Sequence, residues 1–254
     1  MCIASATPTI ASAPRRHCIS SSNSPPPYKL CDLRPFFGII HEDLLAQGGY
    51  DFWGYADLDL VWGDLRTFLT DEVLDRYDII SNHSDRFSGH LTLVRNSDDL
   101  RKRCLDIPQW QEKLTDTEHY ALDEQDFTLC FYPMARLLWR LHSHMFFHLP
   151  LRDEWRSYVR FCTAINRWFA PRRLLLRETY TTPFESHLAN PDASWRYADG
   201  RVIEQHTGRE LPYLHFLCLK RHWQPADYRL SCPGGDIRIS ATGIEAAEQR
   251  AGAE

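Results

Sequence analysis

No stretch of this chain approaches the run of about 18 uninterrupted apolar residues that a membrane-spanning helix needs, so no span is expected. It has no CxxC pair and no framework of closely spaced cysteines. Its eight cysteines (Cys2, Cys18, Cys31, Cys104, Cys130, Cys162, Cys218 and Cys232) are scattered and mostly flanked by apolar residues. That argues against a zinc ribbon or a small disulfide scaffold and fits reduced thiols in a cytoplasmic protein. An excess of positive charge is also missing. With a net charge of -5 and a pI near 6.2, a dedicated nucleic-acid binder is not expected. Residues 1–28 contain no acidic residue, and they have no apolar h-region, so a secretory signal is not expected. Rich in Ser, Ala, Thr and Pro with two Arg, they read as a disordered low-complexity extension or a misassigned start. The alternative is an organelle transit peptide, which usually carries more Arg and an amphipathic helix. There is no internal repeat.

What is present is enough to fold. The 254 residues are 43% hydrophobic, 13% aromatic and 25% charged, which suits one sizeable core in a domain over residues 29–232. FFGIIHEDLLAQ (36–47) places apolar residues at helical spacing and should stop at Gly48-Gly49. DFWGYADLDLVW (51–62) reads as one buried strand. Thr70 caps a short helix DEVLDRYD, and YDIISN and HLTLVRN (90–96) are further strands. Asn96 or Ser97 caps the helix SDDLRKRCLDI. DEQDFTLCFYPMARLLWRL (123–141) should be helical near its start and broken at Pro133. Asp199-Gly200 in WRYADGRVIEQ (195–205) marks a hairpin, and YLHFLCLK (213–220) another strand. Residues 233–254 read as a frayed tail. Alternating strands and helices followed by hairpins predict an α/β fold with a mixed sheet flanked by helices.

The strand over 51–62 holds two carboxylates, Asp57 and Asp59, in an apolar and aromatic setting. Buried charge without a partner is costly, so two together call for a cation. In a strand, residues i and i+2 share a face. Asp57 and Asp59 should therefore converge, with Leu58 turned into packing. Hard oxygen ligands that close suit Mg²⁺ or Mn²⁺, with phosphate oxygens completing the shell. By itself Asp-x-Asp is common, and a solvated strand end explains it equally well.

The surrounding residues add a resemblance. KLCDLRPFFGIIHEDLLAQGGYDFWGYADLDLVWGDL (29–65) resembles the donor-site core of the A-type glycosyltransferases. In their mannosyl- and toxin-type retaining families an Asp-x-x-Arg-like element opens a helix, a Gly-Gly turn follows, and a strand ends in Asp-x-Asp. Asp32 and Arg34 resemble that opening element at a spacing one residue shorter. The chain is most similar to an uncharacterised glycosyltransferase-like family of polysaccharide-synthesis clusters. Lys29, Cys31, Asp32, Phe52, Trp53, Gly54, Asp57, Asp59, Gly63, Asp64 and GHLTLVRN (89–96) carry that pattern, and the similarity runs roughly over residues 28–225. It implies an A-type fold and transfer of a sugar from a nucleotide-sugar donor to a glycan or lipid-linked acceptor.

The resemblance also implies roles. Asp32 and Arg34 would bind the nucleotide sugar, Asp57 would touch the ribose or the metal, and Asp59 would bind the metal directly. HFLCLKRHW (215–223) resembles a closing segment in which His215 is a third metal ligand and Lys220 meets phosphate, again one residue short. Asp123 and Glu124, with Asp126 in reserve, match a carboxylate pair near sugar and acceptor. There they would act as base or stabilise the oxocarbenium-like sugar. Gly89 and His90 would face the same cleft. Competing accounts are simpler: Asp32 as a helix cap, His215 as a core histidine, Asp123 and Glu124 as acids at a helix N-terminus. His142, His144 and His148 match no zinc spacing, and the basic stretch 160–177 reads as a solvated face. The strand–helix units that hold the nucleotide base in such enzymes are expected to be missing, because residues 1–28 stand in their place. That favours an alternative, a catalytically inactive glycosyltransferase-like binding or scaffold protein. A metal-dependent phosphoesterase lacks its further His/Asp motifs here.

Overall fold

The computed structural model describes residues 27–83, 86–132, 194–215, 236–240 and 243–246, together with the backbone of 174–176. Over these the protein is a mixed helix and strand structure. A 3-10 segment, Pro27–Phe36, leads into α1 (Phe37–Ile40) and α2 (Glu42–Gln47). The helix expected over 36–47 is thus broken at His41, and it stops at Gly48 and Gly49, the latter at φ +60. Strands β1 (Phe52–Ala56) and β2 (Leu60–Trp62) follow, then α3 (Leu65–Phe68) and α4 (Asp71–Arg76). Thr70 caps α4 by accepting from the Val73 amide at 3.4 Å. After β3 (Ile79–Ser81) and β4 (Leu91–Arg95) come α5 (Asp98–Lys102), α6 (Trp110–Thr115), a π turn over Leu122–Asp126 and α7 (Phe127–Cys130). The remaining strands are β5 (Leu174–Leu176), β6 (Ser194–Ala198), β7 (Arg201–Glu204), β8 (Glu210–Leu211), β9 (Tyr213–His215), β10 (Ile237–Ser240) and β11 (Gly243–Ala246).

Three sheets organise these strands. The first runs β1-β4-β3-β5, with β4 antiparallel to both neighbours and β3 parallel to β5. Leu91 and Leu93 on one face of β4 join Ile80, Leu65, Leu69 and Tyr213, while Val94 on the other joins Trp53, Tyr55 and Phe127. Burial on both faces explains the nearly continuous apolar sequence of β4. Gly54 in β1 is held to glycine by its neighbour, because a Cβ there would lie 2.4 Å from the Thr92 carbonyl oxygen. The second sheet runs β11-β10-β6-β7-β8, antiparallel throughout, and packs Trp195, Val202, Leu211, Leu214 and Ile239 together. Its β6–β7 hairpin turns at Asp199 and Gly200, both with positive φ as a two-residue Asp-Gly turn requires. The third is the pair β2 and β9.

Two expectations are corrected here. Residues 51–62 are two strands in different sheets, not one. Residues 237–240 and 243–246, read from sequence as part of a frayed tail, are two antiparallel strands added beside β6, so the alternation of Ile with polar residues in 237–240 is a strand pattern. Among the described residues Cys31, Cys104 and Cys130 are free thiols, and no helix is long and apolar enough to cross a membrane. Residues 1–26, the segment 133–141, Lys220, His142, His144, His148 and the side chains of 160–177 lie outside the described residues.

Candidate metal centre

The crossing between two sheets builds the site. β1 ends at Ala56 beside β4, and β2 begins at Leu60 beside β9, so Asp57, Leu58 and Asp59 form the link. The Asp57 amide makes one more ladder-like bond, donating to the His90 carbonyl at 3.4 Å, before the chain turns away. The register of the β2–β9 pair sets Leu60 opposite His215, which brings the histidine beside both aspartates. Leu58 is fully exposed instead of packed, because the link is a bend and not a pleated strand. The convergence of Asp57 and Asp59 survives for a different reason from the one the sequence offered.

His215 Nε2 lies 3.5 Å from Asp57 Oδ2 and 3.6 Å from Asp59 Oδ1. Asp57, Asp59 and His215 each offer one ligand atom, all within 4.8 Å of one another. In an octahedral shell with metal–oxygen bonds of about 2.1 Å, neighbouring donors sit about 3.0 Å apart and opposite ones about 4.2 Å. The donor set is therefore open by several tenths of an ångström relative to a closed shell. Two carboxylates and one imidazole fit a divalent cation, and the imidazole favours Mn²⁺ and its first-row neighbours over Mg²⁺.

Arg34 answers the other side of Asp57. Its Nη2 donates to Asp57 Oδ1 at 2.5 Å, while Nη1 donates to Asp123 Oδ2 at 2.8 Å and to the Gly89 carbonyl at 3.1 Å. Burial alone would depress this guanidinium, but Asp57 and Asp123 outweigh it and hold it above its usual value. Burial dominates at Asp123, pushing its carboxyl up to about 6 against the pull of Arg34. The neighbouring Cys31 thiol is likewise pushed up by burial, to about 11. Glu124, more exposed, pairs with Arg86 at 3.1 Å and accepts from the Gly89 amide at 3.4 Å. Asp126, the reserve carboxylate, pairs instead with Lys113 at 2.8 Å.

Three of the residues expected at the ligand have partners within the chain. Asp32 is completely buried and accepts from the amides of Tyr120 and Leu122 at 3.1 Å each, with Lys29 Nζ 3.1 Å away. It clamps the chain around Ala121, whose φ of 52 strains a non-glycine residue just before the π turn that carries Asp123 and Glu124. The carboxylate expected to meet a nucleotide is thus committed to the chain's own backbone. His90 is buried, with Nδ1 2.8 Å from the Tyr213 hydroxyl and its ring stacked on His215 at 4.9 Å. It packs against a candidate metal ligand. At Gly89 a Cβ would lie 2.9 Å from Arg34 Nη1 and 3.1 Å from Asp123 Oδ2, so the close approach that glycine allows is that of Arg34.

Sequence reasoning missed His83, Tyr213 and Arg86. His83 meets His90 edge-on at 5.0 Å. Burial pushes it down to about 3, with Arg86 and His215 adding to the effect. Burial, reinforced by His83, also holds His90 well below its ordinary value. A polar histidine directly after an apolar strand was the available signal for His83. No signal marked Tyr213, which reads as ordinary strand.

No curated protein and no solved structure matches the chain. A family description does match, over residues 15–229, which is most of the sequence. The chain belongs to this family of unknown function, DUF6625.

Proposed function

We propose that this protein is a metal-dependent glycosyltransferase that moves a sugar from a nucleotide-sugar donor to a glycan or lipid-linked acceptor. The observation that carries the proposal is the meeting of Asp57, Asp59 and His215 from two distant segments, within 4.8 Å. The β1-β4-β3-β5 sheet, with the Asp-x-Asp link leaving its outer strand, is compatible with an A-type fold. In this reading Asp57 Oδ2, Asp59 and His215 hold Mn²⁺ or Mg²⁺, which when bound would neutralise a departing diphosphate. His90 and Tyr213 keep the His215 ring in place through stacking and the 2.8 Å hydrogen bond behind it. Glu124, with 30% of its side chain exposed, and not the buried Asp123, is the carboxylate placed to meet an acceptor hydroxyl. Lys220 keeps its proposed phosphate role on the sequence resemblance alone.

A catalytically inactive glycosyltransferase-like binding or scaffold protein is the second reading. The internal commitment of Asp32 and Arg34 favours it, since both were expected to face the donor. Melting temperature with Mn²⁺ and a panel of nucleoside diphosphates separates the two. Stabilisation of the wild type that disappears in Asp59→Ala supports the transferase. A flat wild-type response supports the scaffold.

A further inference from the structure

One guanidinium ties Asp123 to the candidate ligand Asp57. Arg34 forks between Asp57 Oδ1 and Asp123 Oδ2, at 2.5 and 2.8 Å, so two carboxylates share one cation. The guanidinium is confined on a third side by Gly89, where even a methyl group would press against Nη1. Asp123 is fixed independently of the metal centre. Its own carbonyl accepts from the Tyr55 hydroxyl at 2.8 Å, and Asp32 holds the preceding Leu122 amide.

We infer that Asp123 is a positioning residue for the metal centre, acting through Arg34. By holding one arm of the guanidinium it sets how much of that positive charge falls on Asp57, and therefore how strongly Asp57 can hold a divalent cation. A metal ion and Arg34 compete for the same carboxylate, one at Oδ2 beside His215 and the other at Oδ1. Neutralising Asp123 leaves Arg34 a single anionic partner and strengthens the competitor. Removing Arg34 removes the competition and leaves Asp123 without a route to the metal. This inference rests on the assignment of Asp57, Asp59 and His215 as a cation site.

The test is a double-mutant cycle on the full chain, with Mn²⁺ alone as titrant and calorimetric affinity as readout. Arg34→Gln is expected to tighten Mn²⁺ binding. Asp123→Asn is expected to weaken it about 10-fold when Arg34 is present and less than about 2-fold in the Arg34→Gln background. A purely structural role for Asp123, or a direct field on the metal, would weaken binding equally in both backgrounds and overturns the inference. Should Arg34→Gln fail to fold, Arg34→Lys keeps the charge but cannot fork to two carboxylates. There too the effect of Asp123→Asn must shrink. If the wild type binds no Mn²⁺, the cation site itself is refuted. If the wild type binds and Asp59→Asn abolishes binding while the cycle shows no coupling, only the role of Asp123 falls.

Discussion

Acidification acts on two buried groups of this protein in opposite directions, and the balance can be worked out. His83 in the folded state is pushed down to about 3 from an ordinary value near 6.5. Its contribution to stability is present above pH 6.5 and is lost as pH falls towards 3, because the unfolded chain takes up a proton that the folded chain refuses. Between pH 7.5 and 4.5 that loss is on the order of 3 kcal/mol. Asp123 is raised to about 6 from 3.8, so the folded chain binds its proton first. Stability from this group therefore rises as pH falls through 6, by about 2 kcal/mol over the same window. The two nearly cancel, and His90, also depressed, tips the sum towards acid destabilisation. Urea denaturation followed by tryptophan fluorescence at several pH values measures the differences between variants. Asp123→Asn should lose about 2 kcal/mol more than wild type between pH 7.5 and 4.5, and His83→Asn about 3 kcal/mol less. Parallel profiles for wild type and Asp123→Asn, or a steeper loss in His83→Asn, would refute the burial-driven shifts on which the calculation stands.

Three further outcomes are expected. Asp32→Asn leaves Lys29 buried without its counter-charge and should destabilise by about 3 kcal/mol, visible as a lower urea midpoint at unchanged slope. Ala121→Gly relieves a positive φ and should stabilise by about 0.5 kcal/mol in the same assay. Leu58→Ser, at a fully exposed position, should leave stability within about 0.5 kcal/mol of wild type; a strained or packed Leu58 would show as a larger change.

Where local rules decide, the sequence was a good guide. Thr70 capping, the Asp199-Gly200 hairpin, the apolar β3 and β4 and the stop at Gly48-Gly49 all follow from short-range preferences, and all are present. What escaped depends on partners far along the chain. A largely apolar and aromatic run extends from Phe52 to Trp62, and nothing local reveals that its halves pair with different strands. Asp32 looked like a ligand residue because its true partners, the amides of Tyr120 and Leu122, are invisible from position 32. The strands of 237–240 and 243–246 are short and polar on one side, so only their pairing with β6 and with each other identifies them. The nearness of His215 to Asp57 and Asp59 came from a resemblance and not from pattern, since the β2–β9 register that creates it is a tertiary fact.

The link over Asp57, Leu58 and Asp59 also has a mechanical consequence. It is the seam between the β1–β4 ladder and the β2–β9 ladder, and His215 sits at the end of the second. An ion gripped there would rivet early and late parts of the polypeptide together, closing a very long loop in the unfolded chain as a metal clip does. Such a rivet would make hydrogen-exchange protection of β2 and β9 rise on metal addition well before that of the β6–β7 hairpin.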